Sequence, residues 1–270
     1  MKTFKLGNSE MPALGLGTWQ LTGPTCIKAV ELALEIGYRH IDTAHIYGNH
    51  REIRKGILAS NIKREEIFIT SKLWRTELRK PDALNACYRA LDELGIEYLD
   101  LYLIHWPDRK VLIKPTLEAL TELKENGSIK EWGVSNFTTH HLQDIIDLGY
   151  TPANNQVEFH PSLNQKNLKR FCDENTILIT AYTPIGQGED LRLPLIQELS
   201  KKYSKSPSQI ILNWIISKNM VAIPKASTKE HLEDNFKALG WELETEDILK
   251  IDELNADNRV VVPPFSDFDY

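Results

Sequence analysis

The sequence has few cysteines, no long apolar run and no excess of positive charge. Cys26, Cys87 and Cys172 lie far apart and form no metal-binding or redox motif, and their odd number argues against a disulfide framework. No window approaches about 18 uninterrupted apolar residues, so we expect no membrane span. The 32 Lys and Arg residues are outnumbered by 38 Asp and Glu residues, for a net charge of −6. This balance excludes the basic surface of a general nucleic-acid binder.

We also expect no targeting segment and no interdomain linker. Residues 1–12 contain no apolar stretch long enough for a signal peptide. No Gly/Ser-rich, Pro-rich or low-complexity segment interrupts the chain. We therefore expect a cytoplasmic, globular protein in which residues 1–270 form a single domain.

What the sequence does contain is an alternation of short apolar runs with longer amphipathic segments. Residues 14–17 and 99–104 are short runs, while residues 83–94 have helical spacing and stop at Gly95. Unbroken apolar strands are typical of a parallel sheet covered by helices. Eight strand–helix units with two extra helices predict a (β/α)8 TIM barrel, and an open doubly wound sheet is the alternative. The string GLGTWQ at 15–20 lacks the third glycine of G-x-G-x-x-G, which weakens that alternative.

Polar side chains follow nearly every predicted strand. In a (β/α)8 barrel, chemistry is carried at the C-terminal ends of the strands. The residues at these positions are Asp42, Tyr47, Lys72, His105, Ser135, Asn136, Asn155, Gln156, Glu158, Tyr182 and Lys225. Solvation alone does not explain so many polar groups at one end of a barrel, and we interpret them as a functional site.

Four of these groups make chemical sense together. A tyrosine has an unperturbed pKa of about 10, and the ammonium of Lys72 is expected to lower the pKa of Tyr47. Asp42 is expected to hold the lysine charged, and His105 to donate a hydrogen bond to a reacting oxygen. The set suits reduction of a carbonyl, or the reverse reaction, with the hydride supplied by a cofactor.

The surrounding strings resemble those of the aldo-keto reductases, in particular short prokaryotic members that reduce diketo-sugar acids and small aldehydes. The resemblance covers about residues 4–255. Its strings are GYRHIDTA at 37–44, YGN at 47–49, ITSKLW at 69–74, LDLYLIHWP at 99–107, GVSNF at 133–137 and IPK at 223–225.

The resemblance implies a barrel closed at its bottom by a hairpin, about residues 3–12, with two helices outside the barrel. It implies Tyr47 as general acid, supported by Asp42, Lys72 and His105, and NADPH, NADH or both as cofactor. The implied nicotinamide site is Ser135, Asn136, Gln156 and Tyr182. The implied contacts to the rest of the cofactor are Thr183, Pro184, Ile185 and Gly186 along the pyrophosphate, and Lys225, Ala226, Ser227, His231, Asp234 and Asn235 around the adenosine.

Two departures from the family pattern bear on cofactor choice. The 2′-phosphate site of these enzymes usually reads Lys-Ser, with an Arg six residues after the Lys. Here Ala226 follows Lys225, and His231 takes the place of the Arg. Because an Arg fork matches a phosphate group, its loss predicts use of NADH beside NADPH.

Other interpretations stay open at this level. Lys72 could be the Schiff-base lysine of a barrel aldolase, or the barrel could be a cofactor-binding regulatory subunit without catalysis. His40, His45 and His50 are spaced by five but straddle a strand, a loop and a helix start. With no H-E-x-x-H string present, no metal site is predicted.

The substrate is expected to be a small-molecule aldehyde or ketone. The predicted lining of its apolar pocket is Trp19, Trp74, His105 and Trp106, with core packing as the alternative for the tryptophans. The short loop 107–113 suggests an open pocket. The unpatterned tail, residues 260–270, either folds over that pocket or is disordered. The resemblance favours a monomer.

Overall fold

The structure is a computed structural model that describes residues 2–270. The chain begins with an antiparallel hairpin of β1 (Thr3–Leu6) and β2 (Ser9–Pro12), whose turn contains Gly7 at φ +53°, a conformation that favours glycine. Eight parallel strands follow in chain order, each paired with the next. They are β3 (Leu16–Gly17), β4 (His40–Asp42), β5 (Phe68–Leu73), β6 (Leu99–Ile104), β7 (Ile129–Ser135), β8 (Asn154–Glu158), β9 (Leu178–Tyr182) and β10 (Val221–Ala222).

The sheet closes on itself between its first and last strands. A parallel bridge joins Leu14 to Ala222, and a second joins Gly17 to Lys225. A Cβ at Gly17 would lie 2.7 Å from the Ile223 carbonyl oxygen, so this approach of the two backbones requires glycine. The closed sheet confirms the predicted (β/α)8 barrel over the open doubly wound alternative.

Helices cover the outside of the barrel. They are α1 (Gly23–Ile36), α2 (His50–Ser60), α3 (Lys80–Leu94), α4 (Ile113–Glu125), α5 (Thr139–Asp147), α6 (Lys166–Glu174), α7 (Pro194–Tyr203), α8 (Pro207–Ser217), α9 (Lys229–Phe236) and α10 (Thr245–Asp252). Two helices follow β9 and two follow β10, which confirms the two extra helices. Within residues 2–270, no helix is long and apolar enough to cross a membrane.

The hairpin closes the bottom of the barrel, as the family resemblance implies. Its residues Leu6 and Met11 are fully buried against apolar side chains of the barrel interior. The cluster consists of Leu6, Met11, Phe68, Leu101, Leu103, Val221 and Ile223. Burying one such side chain contributes roughly 1.5–3 kcal/mol, so the plug is firmly held. The opposite face, where the strands end, is therefore the one available for chemistry.

Candidate active site

A buried ion pair lies at the C-terminal ends of β4 and β5. Lys72 Nζ donates to Asp42 Oδ1 at 2.5 Å and to the Thr43 carbonyl at 2.9 Å. Gln156 Nε2 donates to the other carboxylate oxygen of Asp42 at 2.7 Å. Burial raises the pKa of Asp42 and lowers the pKa of Lys72, and the contact between the two opposes both shifts. Because the lysine amine is engaged by two acceptors, the geometry does not present it as a free nucleophile for a Schiff base.

Tyr47 is brought to this pair by a 3₁₀ helix, residues His45–Tyr47. Its hydroxyl lies 3.4 Å from Lys72 Nζ. The following loop is anchored by Asn49, whose amide donates to the Thr18 and Leu21 carbonyls at 3.0 Å each. The phenol is thus held in place by backbone contacts that do not involve its own ring.

The pKa of Tyr47 is raised in this structure, and not lowered as the sequence led us to expect. Burial raises the pKa of Tyr47 well above its ordinary value, and the charge of Asp42 adds to this rise. The Lys72 ammonium, 3.4 Å from the hydroxyl, favours the tyrosinate, but burial outweighs this effect. Tyr47 is consequently protonated at neutral pH, the form that can donate a proton.

His105 follows β6 and faces Tyr47. The two rings lie edge to face, with centroids 5.7 Å apart. Burial lowers the pKa of His105 well below its ordinary value, and the Lys72 charge lowers this pKa further, so the imidazole is neutral at pH 7. Its Nδ1 is buried and finds no hydrogen-bond partner among residues 2–270. A neutral imidazole has one donor and one acceptor nitrogen, so the ring can form a hydrogen bond with a reacting oxygen.

Aromatic side chains surround these four groups. The Trp19 ring lies 5.0 Å from the Tyr47 ring and is 54% exposed. The Trp74 ring lies 5.2 Å from that of His105. Trp106 is buried, because Phe265 and Phe268 of the tail pack on it at 5.4 and 5.8 Å. The three tryptophans thus lie around the site as expected, but Trp106 lies behind the tail.

The tail folds over the mouth of the barrel, which decides between the two alternatives left open by the sequence. The Val260 and Val261 amides donate to the buried carboxylate of Glu158. Further along, Asp267 pairs with Arg109 of the 107–113 loop. The pocket is therefore more enclosed than the short loop alone suggests.

A hydrogen-bonded group of polar side chains borders the other side of the site. Asn136, at φ +65°, donates from its amide to the His105 carbonyl at 2.9 Å. Its own amide oxygen accepts from the Tyr182 hydroxyl at 2.7 Å. Ser135 Oγ donates to the Gln156 carbonyl at 2.8 Å. The four residues implied for the nicotinamide site are thus contiguous, and Gln156 also contacts Asp42, as described above.

The segment after β9 makes a series of tight turns. Thr183, Gly186, Gln187 and Gly188 all have positive φ, between +49° and +95°. At Gly186 a Cβ would lie 2.9 Å from the Asp190 carboxyl carbon, so glycine is required there. These turns place the backbone of residues 183–188, including Pro184 and Ile185, directly beyond the strand end.

The residues implied for the adenosine site lie beyond β10. Lys225, Ser227 and His231 are exposed, whereas Ala226 and Asn235 are buried. Lys225 Nζ donates to Gln20 Oε1 at 3.3 Å. Thr228 caps α9, accepting from the His231 amide.

Asp234 is placed differently from the other residues of this group. Its two carboxylate oxygens accept from Ser206 and Gln209 at 2.6 and 2.7 Å, which ties α9 to α8. The Asp234 carboxylate therefore holds α9 against the start of α8.

Two contributors to the site escaped the sequence-based interpretation. Asn49 was quoted only as part of the YGN string, although it anchors the Tyr47 loop. The Thr43 carbonyl shares Lys72 with Asp42, and a backbone acceptor leaves no signal in residue type. For Asn49, the signal is an amide side chain directly after a glycine turn, where side-chain-to-backbone bonds are common.

The closed barrel and the polar cluster at its strand ends define a (β/α)8 enzyme with its chemistry at the C-terminal mouth. The sequence profile described as "Aldo/keto reductase family" matches residues 13–256. The chain belongs to this family and is an oxidoreductase of the carbonyl-reducing kind.

Individual relatives support the assignment. The glyoxal reductase of Bacillus subtilis is 42% identical over 261 residues, which cover 96% of this chain and 94% of the relative. The methylglyoxal reductase of Yersinia pestis is 38% identical over 259 residues, covering 94% and 92%. Among solved structures, an aldo-keto reductase from a Medee basin deep-sea metagenome superposes with a TM-score of 0.93 at 39% identity, covering 97% of both chains.

Proposed function

We propose that the protein reduces aldehydes and ketones to alcohols with a nicotinamide cofactor, with Tyr47 as the proton donor. The observation that carries this proposal is the convergence of Tyr47, Lys72 and His105 on one polar centre. A protonated phenol, a buried ammonium and a neutral imidazole are the groups that a carbonyl oxygen needs as it gains negative charge.

The residues divide the work as follows. A reduced nicotinamide, when bound, supplies the hydride to the carbonyl carbon. Tyr47 gives its hydroxyl proton to the carbonyl oxygen, and the tyrosinate left behind is stabilised by the Lys72 ammonium 3.4 Å away. Asp42 keeps that ammonium charged and oriented. His105 orients the substrate by a hydrogen bond to the same oxygen.

The residues beside this centre fit a nicotinamide cofactor. Ser135, Asn136 and Gln156 offer hydroxyl and amide groups suited to a carboxamide, and Tyr182 offers an aromatic face. The turns of residues 183–188 suit a pyrophosphate, as the family resemblance implies. Beyond β10, the exposed ammonium of Lys225 suits a phosphate. We propose these residues as the cofactor site.

The direct test is consumption of a reduced nicotinamide by the purified enzyme. We expect turnover of methylglyoxal and of a simple aromatic aldehyde, because two relatives bear the names of glyoxal and methylglyoxal reductases and the tail encloses the pocket. Bound cofactor without turnover over a broad aldehyde panel would instead support the non-catalytic alternative. Sedimentation of the same sample checks the expected monomer, while the cytoplasmic location stays a prediction from composition.

Cofactor choice gives a prediction at His231. We expect wild-type enzyme to use both NADH and NADPH, and His231→Arg to raise the NADPH/NADH ratio of kcat/KM by about ten- to hundredfold. An added guanidinium–phosphate hydrogen bond is worth about 1.5–3 kcal/mol. His140→Arg, at an exposed position of α5, is the matched control and should leave the NADPH/NADH ratio of kcat/KM unchanged. A strong wild-type preference for NADPH that His231→Arg does not move would show that this position does not control the choice.

The tail gives a prediction at Phe265. Its ring packs on Trp74 at 5.7 Å and on Trp106 at 5.4 Å. We expect Phe265→Ala to raise KM for an aromatic aldehyde by about tenfold with little change in kcat, since each aromatic pair is worth about 0.5–1.5 kcal/mol. Val262→Ala, at an exposed position of the same tail, should have no effect. Equal kinetics for both variants would remove Phe265 from the pocket.

A further inference from the structure

His45, His50 and Glu93 form a second group of titratable side chains next to the Tyr47 loop. His45 begins the 3₁₀ helix, His50 begins α2, and Glu93 lies in the last turn of α3. Glu93 Oε2 lies 2.9 Å from His50 Nδ1 and 3.7 Å from His45 Nδ1. The three atoms all lie within 4.8 Å of one another. The spacing of the histidines in sequence was noted above, but the carboxylate comes from a separate helix.

Hydrogen bonding accounts for His50 but not for His45. His50 contacts Glu93 through Nδ1 and Ser71 Oγ through Nε2, at 2.9 and 3.0 Å. In the described part of the chain, residues 2–270, His45 Nδ1 is buried and has no hydrogen-bond partner. The 3.7 Å to Glu93 is too long for a hydrogen bond. A buried ring nitrogen that faces a carboxylate without a hydrogen bond is a feature that an ion bound between them would explain.

We propose that His45, His50 and Glu93 bind a divalent transition-metal ion of the Zn²⁺ type. Two imidazoles and a carboxylate, with water in the fourth position, are a common zinc ligand set. Zn²⁺ bond lengths of about 2.0–2.2 Å place tetrahedral ligand atoms roughly 3.4 Å apart. The observed 2.9 and 3.7 Å from Glu93 lie on either side of that value. The two histidine nitrogens lie within 4.8 Å of each other, so side-chain rotations bring the three ligands to tetrahedral spacing.

The surroundings of the three ligands suit a metal ion. Ser71 accepts from His50 Nε2 when Nδ1 binds the ion, which fixes the tautomer as outer-shell partners do. The side chains of His45 and Glu93 are 33% and 22% exposed, so an ion can reach the site from solvent.

The cysteine thiols are poor competitors for the same ion. Burial raises the pKa of each of the three to about 12. Thiolates are the metal-binding form, and at neutral pH almost none is present. Binding at the cysteines would be visible as a thiolate-to-metal charge-transfer band with Co²⁺, which separates the two possibilities.

Equilibrium dialysis of the full-length, untagged protein against Zn²⁺ tests the proposal. We expect one Zn²⁺ per chain, bound at least about tenfold more weakly by His45→Ala and by Glu93→Gln, because removing even an outer partner of a ligand costs about 10–100-fold. His140→Ala, an exposed histidine outside the group, is the matched control and should bind as the wild type does. His45 is partly exposed, so His45→Ala should fold, and circular dichroism checks this.

The Co²⁺ form adds a spectroscopic readout. We expect the visible d–d bands of a four-coordinate ion in the wild type and His140→Ala, and their loss in His45→Ala. Zn²⁺ binding that neither ligand variant weakens, the absence of binding up to millimolar Zn²⁺, or a thiolate charge-transfer band would each overturn the proposal.

Discussion

Tyr47→Phe is expected to lower kcat/KM for carbonyl reduction by about 10²–10⁴, the usual contribution of a general acid. The change removes one hydroxyl and keeps the ring that packs on Trp19 at 5.0 Å. Lys72, below the ring, keeps its hydrogen bonds to the Asp42 carboxylate and the Thr43 carbonyl. Cofactor affinity should therefore be nearly unchanged. Steady-state kinetics with a small aldehyde and a fluorescence titration with the cofactor measure the two quantities.

A second tyrosine provides the matched control. Tyr88 is exposed on α3, and its hydroxyl accepts a single bond from Asn126 at 3.2 Å. Tyr88→Phe should leave both kinetics and cofactor affinity as they are. If Tyr47→Phe also retains turnover within a few-fold of wild type, the proton comes from another group and the proposed role of Tyr47 is lost.

The barrel could be predicted because its strands are continuous apolar runs. Residues 99–104 coincide with β6, where no polar residue but Asp100 interrupts the run. Polar strand ends are harder to predict: β5 continues through Ser71 and Lys72 to Leu73, although neither polar residue fits an apolar run. The apolar spacing of helix α4 becomes regular only at Leu117, although the helix begins at Ile113, because Lys114 and Pro115 occupy its first turn. Tertiary pairing, and not local composition, sets these limits.

The motifs predicted which polar side chains lie together, but not how these side chains contact one another. That Asp42, Lys72 and Gln156 converge follows from strand order, since neighbouring parallel strands end at one face. That burial outweighs the Lys72 ammonium and raises the pKa of Tyr47 depends on distances of a few ångströms, which residue order does not show. The docking of the tail could not be predicted from sequence periodicity, because the tail is held by a few aromatic side chains at irregular spacing.

Breaking the buried Asp42–Lys72 ion pair is expected to have the second large effect, on both stability and activity. Removing one partner leaves an uncompensated charge in a dry site, which costs about 3–5 kcal/mol. We expect Lys72→Met to lose about this much unfolding free energy, because Asp42 is then buried with only Gln156 as donor. The ammonium that stabilises the tyrosinate is also gone, so reduction should fall by about 10² or more. Chemical denaturation and steady-state kinetics measure the two losses. Lys80→Met, which breaks the exposed pair with Glu122, is the matched control and should cost less than about 1 kcal/mol.

The double variant Asp42→Asn/Lys72→Met separates stability from catalysis. Removing both charges relieves the unpaired carboxylate, so much of the lost unfolding free energy should return, while reduction stays as low as in Lys72→Met. This result would mean that the charged pair contributes to the reaction and not to net stability, because Asn and Met in the same places would stabilise the fold about as well. Recovery of both stability and activity would show that the charge of Lys72 is not needed for proton donation. If the unfolding free energy lost by the double variant instead equals the sum of the losses in Asp42→Asn and Lys72→Met, the two residues do not act as a coupled pair.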